Sequence, residues 1–63
     1  MLPNWTRVRL TQNVPCSLGE LGDEGVIVDN LLANNKQFYI VELPDKEEIV
    51  TVEEENLVNV DLN

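Results

Sequence analysis

The alternation of apolar and polar residues along the chain predicts a protein built of short β-strands. In residues 6–11, Val8 and Leu10 fall on one face and Arg7 and Arg9 on the other, which is the period-two pattern of a half-buried strand. Further strands are predicted in segments rich in β-branched, aromatic or leucine residues, namely 25–32, 37–43, 48–53 and 57–60.

The connections between these segments favour one small all-β domain spanning residues 1–63. Asparagine-rich residues 33–36 suit a tight hairpin turn, and residues 44–47 form a second short connection. Residues 12–24 form a long loop, and residues 53–57 have the composition of a single helical turn before the last strand. Five short strands joined in this way suit a small closed or partly open barrel, in which strand edges are not exposed.

The order of elements resembles the SH3-like small barrels, with a long first loop and a helical turn before the last strand. Three segments carry the resemblance: Arg7 to Leu10, the turn and strand from Gly22 to Val28, and the aromatic strand from Phe38 to Leu43. They are similar to short uncharacterised stand-alone bacterial accessory proteins. More distantly, they resemble a small accessory protein of photosystem I, the variable chain of ferredoxin–thioredoxin reductase, and KOW domains. The resemblance implies a five-stranded SH3-like barrel that attaches to a larger complex.

The charge of the chain narrows the choice of partners. Twelve acidic and four basic residues give a net charge of −8 and an isoelectric point near 4.1. Such a field repels nucleic-acid phosphates and anionic membranes and favours a basic protein partner. Solubility alone is an alternative explanation of this net charge. A KOW-like module that binds nucleic acid or the ribosome, and an acidic mimic of nucleic acid, are the alternatives.

The sequence predicts no catalytic, cofactor or metal site. It has no histidine, and its only serine is Ser17, so the common general base is absent. Cys16 is the only cysteine, which excludes an internal disulfide, and its acidic surroundings predict an inert thiol. Gly22 and Gly25 indicate a tight turn, since no Lys-Ser/Thr pair follows them to hold a phosphate. We therefore expect a non-enzymatic protein.

A cytoplasmic location is expected from the first ten residues and from the apolar runs. Pro3, Asn4, Arg7 and Arg9 interrupt any apolar signal segment. Apolar runs are only a few residues long, far below the roughly 20 needed to cross a bilayer.

The candidate partner-binding residues lie in an apolar group and an acidic group. If Tyr39 faces the core, strand alternation turns Phe38 and Ile40 outward to form a recognition surface with Trp5. The opposite register would expose Tyr39, and a further alternative is that Trp5 and Phe38 close the ends of the barrel. The acidic group lies in the long loop and comprises Glu20, Asp23 and Glu24. The predicted function is a non-catalytic accessory or regulatory module that docks onto a larger protein or enzyme complex.

Overall fold

A computed structural model describes residues 1–61 and contains five antiparallel strands. The strands are β1 (Arg7–Leu10), β2 (Glu24–Ala33), β3 (Lys36–Leu43), β4 (Glu48–Glu53) and β5 (Leu57–Asn59). Single 3₁₀ turns cover Pro44–Lys46 and Glu54–Asn56. The prediction of an all-β fold is confirmed, and the helical turn expected before the last strand is present.

The strands form one open sheet in the order β4-β3-β2-β1-β5. β4 and β5 are its two edges, and no ladder joins them within residues 1–61. Closure into a barrel therefore stays a prediction.

The β2–β3 hairpin sets the register of the sheet. Asn34 and Asn35 both have positive φ, 51° and 64°, as a two-residue type I′ turn requires. Ala33 pairs with Lys36 directly before and after this turn. The register then shifts by one residue between Ile27 and Asp29, where β2 contains a bulge.

The core lies on one face of the sheet. Tyr39 is its largest fully buried side chain, and Leu2 and Val14 pack against the core from outside the strands. The buried residues alternate along the strands with exposed ones, as a sheet with one dry face requires. They are Val8, Leu10, Ile27, Tyr39, Val41, Leu43, Val50, Val52 and Leu57.

Gly25 lets β2 approach β3 closely at the start of the hairpin. A Cβ atom at this position would overlap the carbonyl oxygen of Glu42 and lie 2.8 Å from Cγ1 of Val41. Gly22 differs, because a Cβ there meets nothing within 4 Å but its φ is +93°. The two glycines are thus required for different reasons.

We expect Gly25→Ala to lower the free energy of unfolding by about 2–3 kcal/mol, because the backbone of β3 must move to admit a methyl group. Gly22→Ala is the matched control and should cost about 1 kcal/mol, from backbone strain alone. Urea unfolding followed by circular dichroism measures both. Equal stability of the Gly25→Ala variant and the parent would contradict the close approach of the two strands.

Candidate functional site

The face of the sheet opposite the core carries a contiguous apolar surface, which we call the outer strip: Leu31, Phe38, Ile40 and Ile49. Leu31 pairs with Phe38 across β2 and β3. Ile40 pairs with Thr51, and Ile49 pairs with Glu42, so the two isoleucines are diagonal neighbours across β3 and β4. Leu31 is 48% exposed and Ile49 60%, whereas Phe38 and Ile40 are half-buried.

The structure decides between the two registers that the sequence left open. Tyr39 is buried in the core, and the alternation of β3 therefore places Phe38 and Ile40 on the outer face. Leu31 and Ile49 join them in the outer strip, although sequence analysis did not single out either residue. The alternation of β4 carried a signal for Ile49, because Val50 and Val52 are the core positions there.

Trp5 lies outside the outer strip, beside the β1 side of β2. Its backbone N–H donates to the carbonyl oxygen of Ile27 at 2.6 Å, and its side chain is 73% exposed. The φ of Trp5 is +74°, a conformation that bulky residues seldom adopt. With this exposure Trp5 does not cover the core, so the alternative that it closes an end of the fold is not supported.

The acidic residues predicted for the long loop are engaged in ion pairs within the chain, and one of them, Glu24, is the first residue of β2. Lys46 Nζ lies 2.7 Å from Asp23 Oδ2 and 2.8 Å from Glu20 Oε1, and it donates to the carbonyl oxygen of Leu18 at 2.6 Å. Glu24 Oε2 accepts from Arg9 Nη2 at 2.6 Å. Lys46 thus fastens the long loop to the turn after β3, a contact for which the sequence held no signal.

The contact between Lys46 and the loop shifts the pKa values of its members. The hydrogen bond from Lys46 lowers the pKa of Asp23 below its ordinary 3.8, and the backbone N–H of Glu20 adds to this effect. The hydrogen bonds to Asp23 and then to Glu20 raise the pKa of Lys46 above 10.5. Both shifts favour the charged pair, which is the form that holds the loop.

Several of the remaining acidic residues border the outer strip near Ile49. Each of the four basic side chains is ion-paired, and these pairs use five of the twelve acidic residues. Within residues 1–61 the other seven have no ion-pair partner: Asp29, Glu42, Asp45, Glu47, Glu48, Glu54 and Glu55. A recess of about 350 Å³ adjoins Ile49, and its lining includes Glu42, Glu47 and Glu48.

Tyr39 ties the core to the acidic turn after β4. Its hydroxyl donates to Glu54 Oε2 at 2.5 Å and accepts from the backbone N–H of Leu2 at 2.8 Å. Burial, and secondly the hydrogen bond to Glu54, raise the pKa of Tyr39 above its ordinary 10.0. This network satisfies a buried hydroxyl.

Cys16 is the remaining chemically reactive side chain to place. Cys16 is an exposed free thiol in the long loop, with a φ of +61°. No group of three or more His, Cys, Asp or Glu residues in the described part of the chain is placed to hold a metal ion. Over the same residues, no helix has the length and apolar character to cross a membrane.

Comparison of the chain with models of protein families, with curated proteins and with solved structures gives no match. Its function must therefore be argued from its own geometry.

We expect Lys46→Met to reduce the acid dependence of stability. The carboxyl of Asp23 has a lowered pKa in the folded state, so its contribution is present above pH 3.8 and is lost as the pH falls through that lowered value. Urea unfolding at neutral pH and near pH 3 should show a smaller difference for Lys46→Met than for the parent. Lys36→Met is the matched control, because it removes the same charge from an exposed single pair. Equal acid dependence in both variants would contradict a specific role for Lys46.

We expect Tyr39 to ionise only above pH 10.0, and folded stability to fall as the pH rises past this value, because the unfolded chain releases the proton first. Tyr39 is the only tyrosine, so the ultraviolet absorbance of tyrosinate reports it without interference from other tyrosines. Glu54→Gln removes the carboxylate and should lower the midpoint. A midpoint at or below 10.0 in the folded parent would show that Tyr39 is not held as described.

Proposed function

We propose that this chain is a non-catalytic interaction module that docks onto a protein partner through the outer strip. The observation that carries the proposal is a contiguous row of four apolar side chains on the face opposite a complete core. Leu31 and Ile49 are about half exposed in this row. Apolar surface grouped in this way, with a charged border, is typical of protein-binding sites.

The distribution of charge supports the sheet face over the long loop as the main contact. Glu20, Asp23 and Glu24 are held in pairs with Lys46 and Arg9, and a partner would have to displace these cations to use them. The carboxylates around Ile49 have no such competitor among the described residues. Trp5 adds a separate exposed aromatic side chain, whose contribution to docking we propose to be secondary.

An SH3-like barrel is the finer description of the fold that we propose. Supporting it are the strand order β4-β3-β2-β1-β5, the long loop between β1 and β2, and the 3₁₀ turn before β5. Such small barrels host many unrelated functions, so a likeness of fold does not indicate the partner.

The KOW-like alternative receives less support. Arg7, Arg9, Lys36 and Lys46 are all ion-paired within the chain. Binding phosphates would require them to exchange an internal carboxylate for an external anion within a field of net charge −8. Retention on heparin at low salt would reverse this ranking.

Leu31→Ser should weaken partner binding by about tenfold or more, because an apolar anchor is lost from the interface. Leu32→Ser is the matched control. It changes an adjacent, more exposed leucine, 69% exposed, that pairs with Gln37 and lies on the other face of the sheet. Tagged protein retains the partner from a native lysate, and titration of that purified partner gives the two affinities.

Retention of no protein by the parent, or equal loss of binding in both variants, would contradict docking through the outer strip. Circular dichroism of both variants checks that the fold is unchanged.

A further inference from the structure

β4 is one of the two edge strands of the sheet, and its outer backbone is open. β4 pairs with β3 on one side only, and no backbone hydrogen bond joins it to β5 or to the long loop within residues 1–61. An edge of this kind is a template for another strand unless it is covered. We infer that the β4 edge pairs with an extended, lysine- or arginine-bearing segment of the docked partner. This inference rests on the proposed function and assigns its binding mode.

The register shows which backbone groups of β4 are available. Ala33 and Lys36 close a two-residue turn and are therefore a hydrogen-bonded pair, and such pairs alternate with non-bonded ones along an antiparallel ladder. Successive residues of β3 direct their backbone groups to opposite sides, so Tyr39 and Val41 face β4. Their partners Val52 and Val50 therefore direct their N–H and C=O groups toward β3. Those of Ile49 and Thr51 then point to the open edge.

There is open space beside the second half of this edge. A cavity of about 240 Å³ lies between β4 and the first part of the long loop. Thr51 and Val52 line one side, and Gln12, Asn13 and Val14 line the other. An incoming segment would find apolar contact at Val14, and the polar side chains of Gln12, Asn13 and Thr51 could bond any unpaired backbone group.

An incoming strand would also extend the outer strip. Ile49 and Thr51 have their side chains on the outer face. Alternate residues of a paired segment lie beside them on that face. Main-chain pairing and side-chain contact with the strip would thus occur in the same complex, as in other cases of strand addition.

Charge decides between a basic partner and a second copy of this chain. Glu47 and Glu48 precede or begin β4, and Glu54 and Glu55 follow it, none of them ion-paired in the described chain. A second copy would bring a net charge of −8 against an equal charge. Antiparallel pairing of two β4 strands would also bring the acidic ends of one strand near those of the other. A basic segment meets complementary charge at both ends.

The test uses defined peptides and the nitrogen-15-labelled chain. The probe is a capped peptide of alternating lysine and valine. One control is the same peptide with N-methyl groups on the pairing edge, which keeps charge and side chains but removes main-chain donors. The other control carries glutamate in place of lysine. On the protein, Thr51→Pro removes a donor that faces the open edge, a place where proline is tolerated, and Thr51→Ala keeps that donor.

We expect the lysine peptide to shift the amide signals of Ile49, Thr51 and Glu53. N-methylation of the peptide, or Thr51→Pro in the protein, should weaken binding by about tenfold or more through loss of main-chain hydrogen bonds. Thr51→Ala should bind like the parent, and the glutamate peptide should not bind. If Thr51→Pro does not fold, the N-methylated peptide alone still tests strand pairing.

Equal affinity of the N-methylated and parent peptides would overturn strand addition, and equal binding of the glutamate peptide would overturn the basic partner. A dimer in sedimentation that Thr51→Pro dissociates would show that a second copy fills the edge, and would also overturn the inference. If Leu31→Ser loses the lysate partner while Thr51→Pro retains it, the docking function stands and strand addition fails. If neither variant affects that partner, both fail.

Discussion

The pairing register between β2 and β3 determines what every other part of this sheet can do. The two asparagines of the turn, Asn34 and Asn35, start the hairpin, and the ladder then places Tyr39 inward and Phe38 outward. A shift of one residue would exchange the two aromatic side chains between the faces. The core would lose its largest member, and the hydroxyl of Tyr39 would lose its hydrogen bonds with Glu54 and Leu2.

The same register determines which side chains β4 presents on each face of the sheet. Because Val50 and Val52 must complete the core, the strand presents Ile49 and Thr51 on the outer face and its carboxylates at its ends. Lys46 fixes the long loop, and the other three basic side chains also form ion pairs within the chain. The surface field is negative because twelve acidic residues outnumber four basic ones.

Much of this architecture follows from the sequence because it depends on local patterns. Alternation in residues 6–11 and 48–53 and the composition of the other segments predicted the five strands, and the asparagine pair indicated the tight turn. The outward direction of Leu31 did not follow, because regular alternation from Ile27 would turn it inward. The bulge between Ile27 and Asp29 reverses the phase. A bulge depends on how two paired strands twist, and no residue in this segment indicates it.

The ion pairs of the acidic residues could not be predicted from the sequence either. Glu20, Asp23 and Glu24 were predicted to face a partner from their position in a long loop. Lys46, whose ammonium group the first two share, lies more than 20 residues further along the chain. A count of charges gives the field but not the pairing, because pairing between distant residues is decided by the fold. Their part in docking stays a prediction.

The pairing of β1 with β5 has a consequence for how the protein forms during synthesis. Arg7–Leu10 is synthesised before the other four strands, but Leu57–Asn59, its partner on one side, is synthesised after them. Until then the nascent β1 can pair only with β2, and its other edge is free. Contacts between segments so distant in sequence also form slowly. The ribosome and early-acting chaperones therefore meet an incomplete sheet, with β1 uncovered on one side.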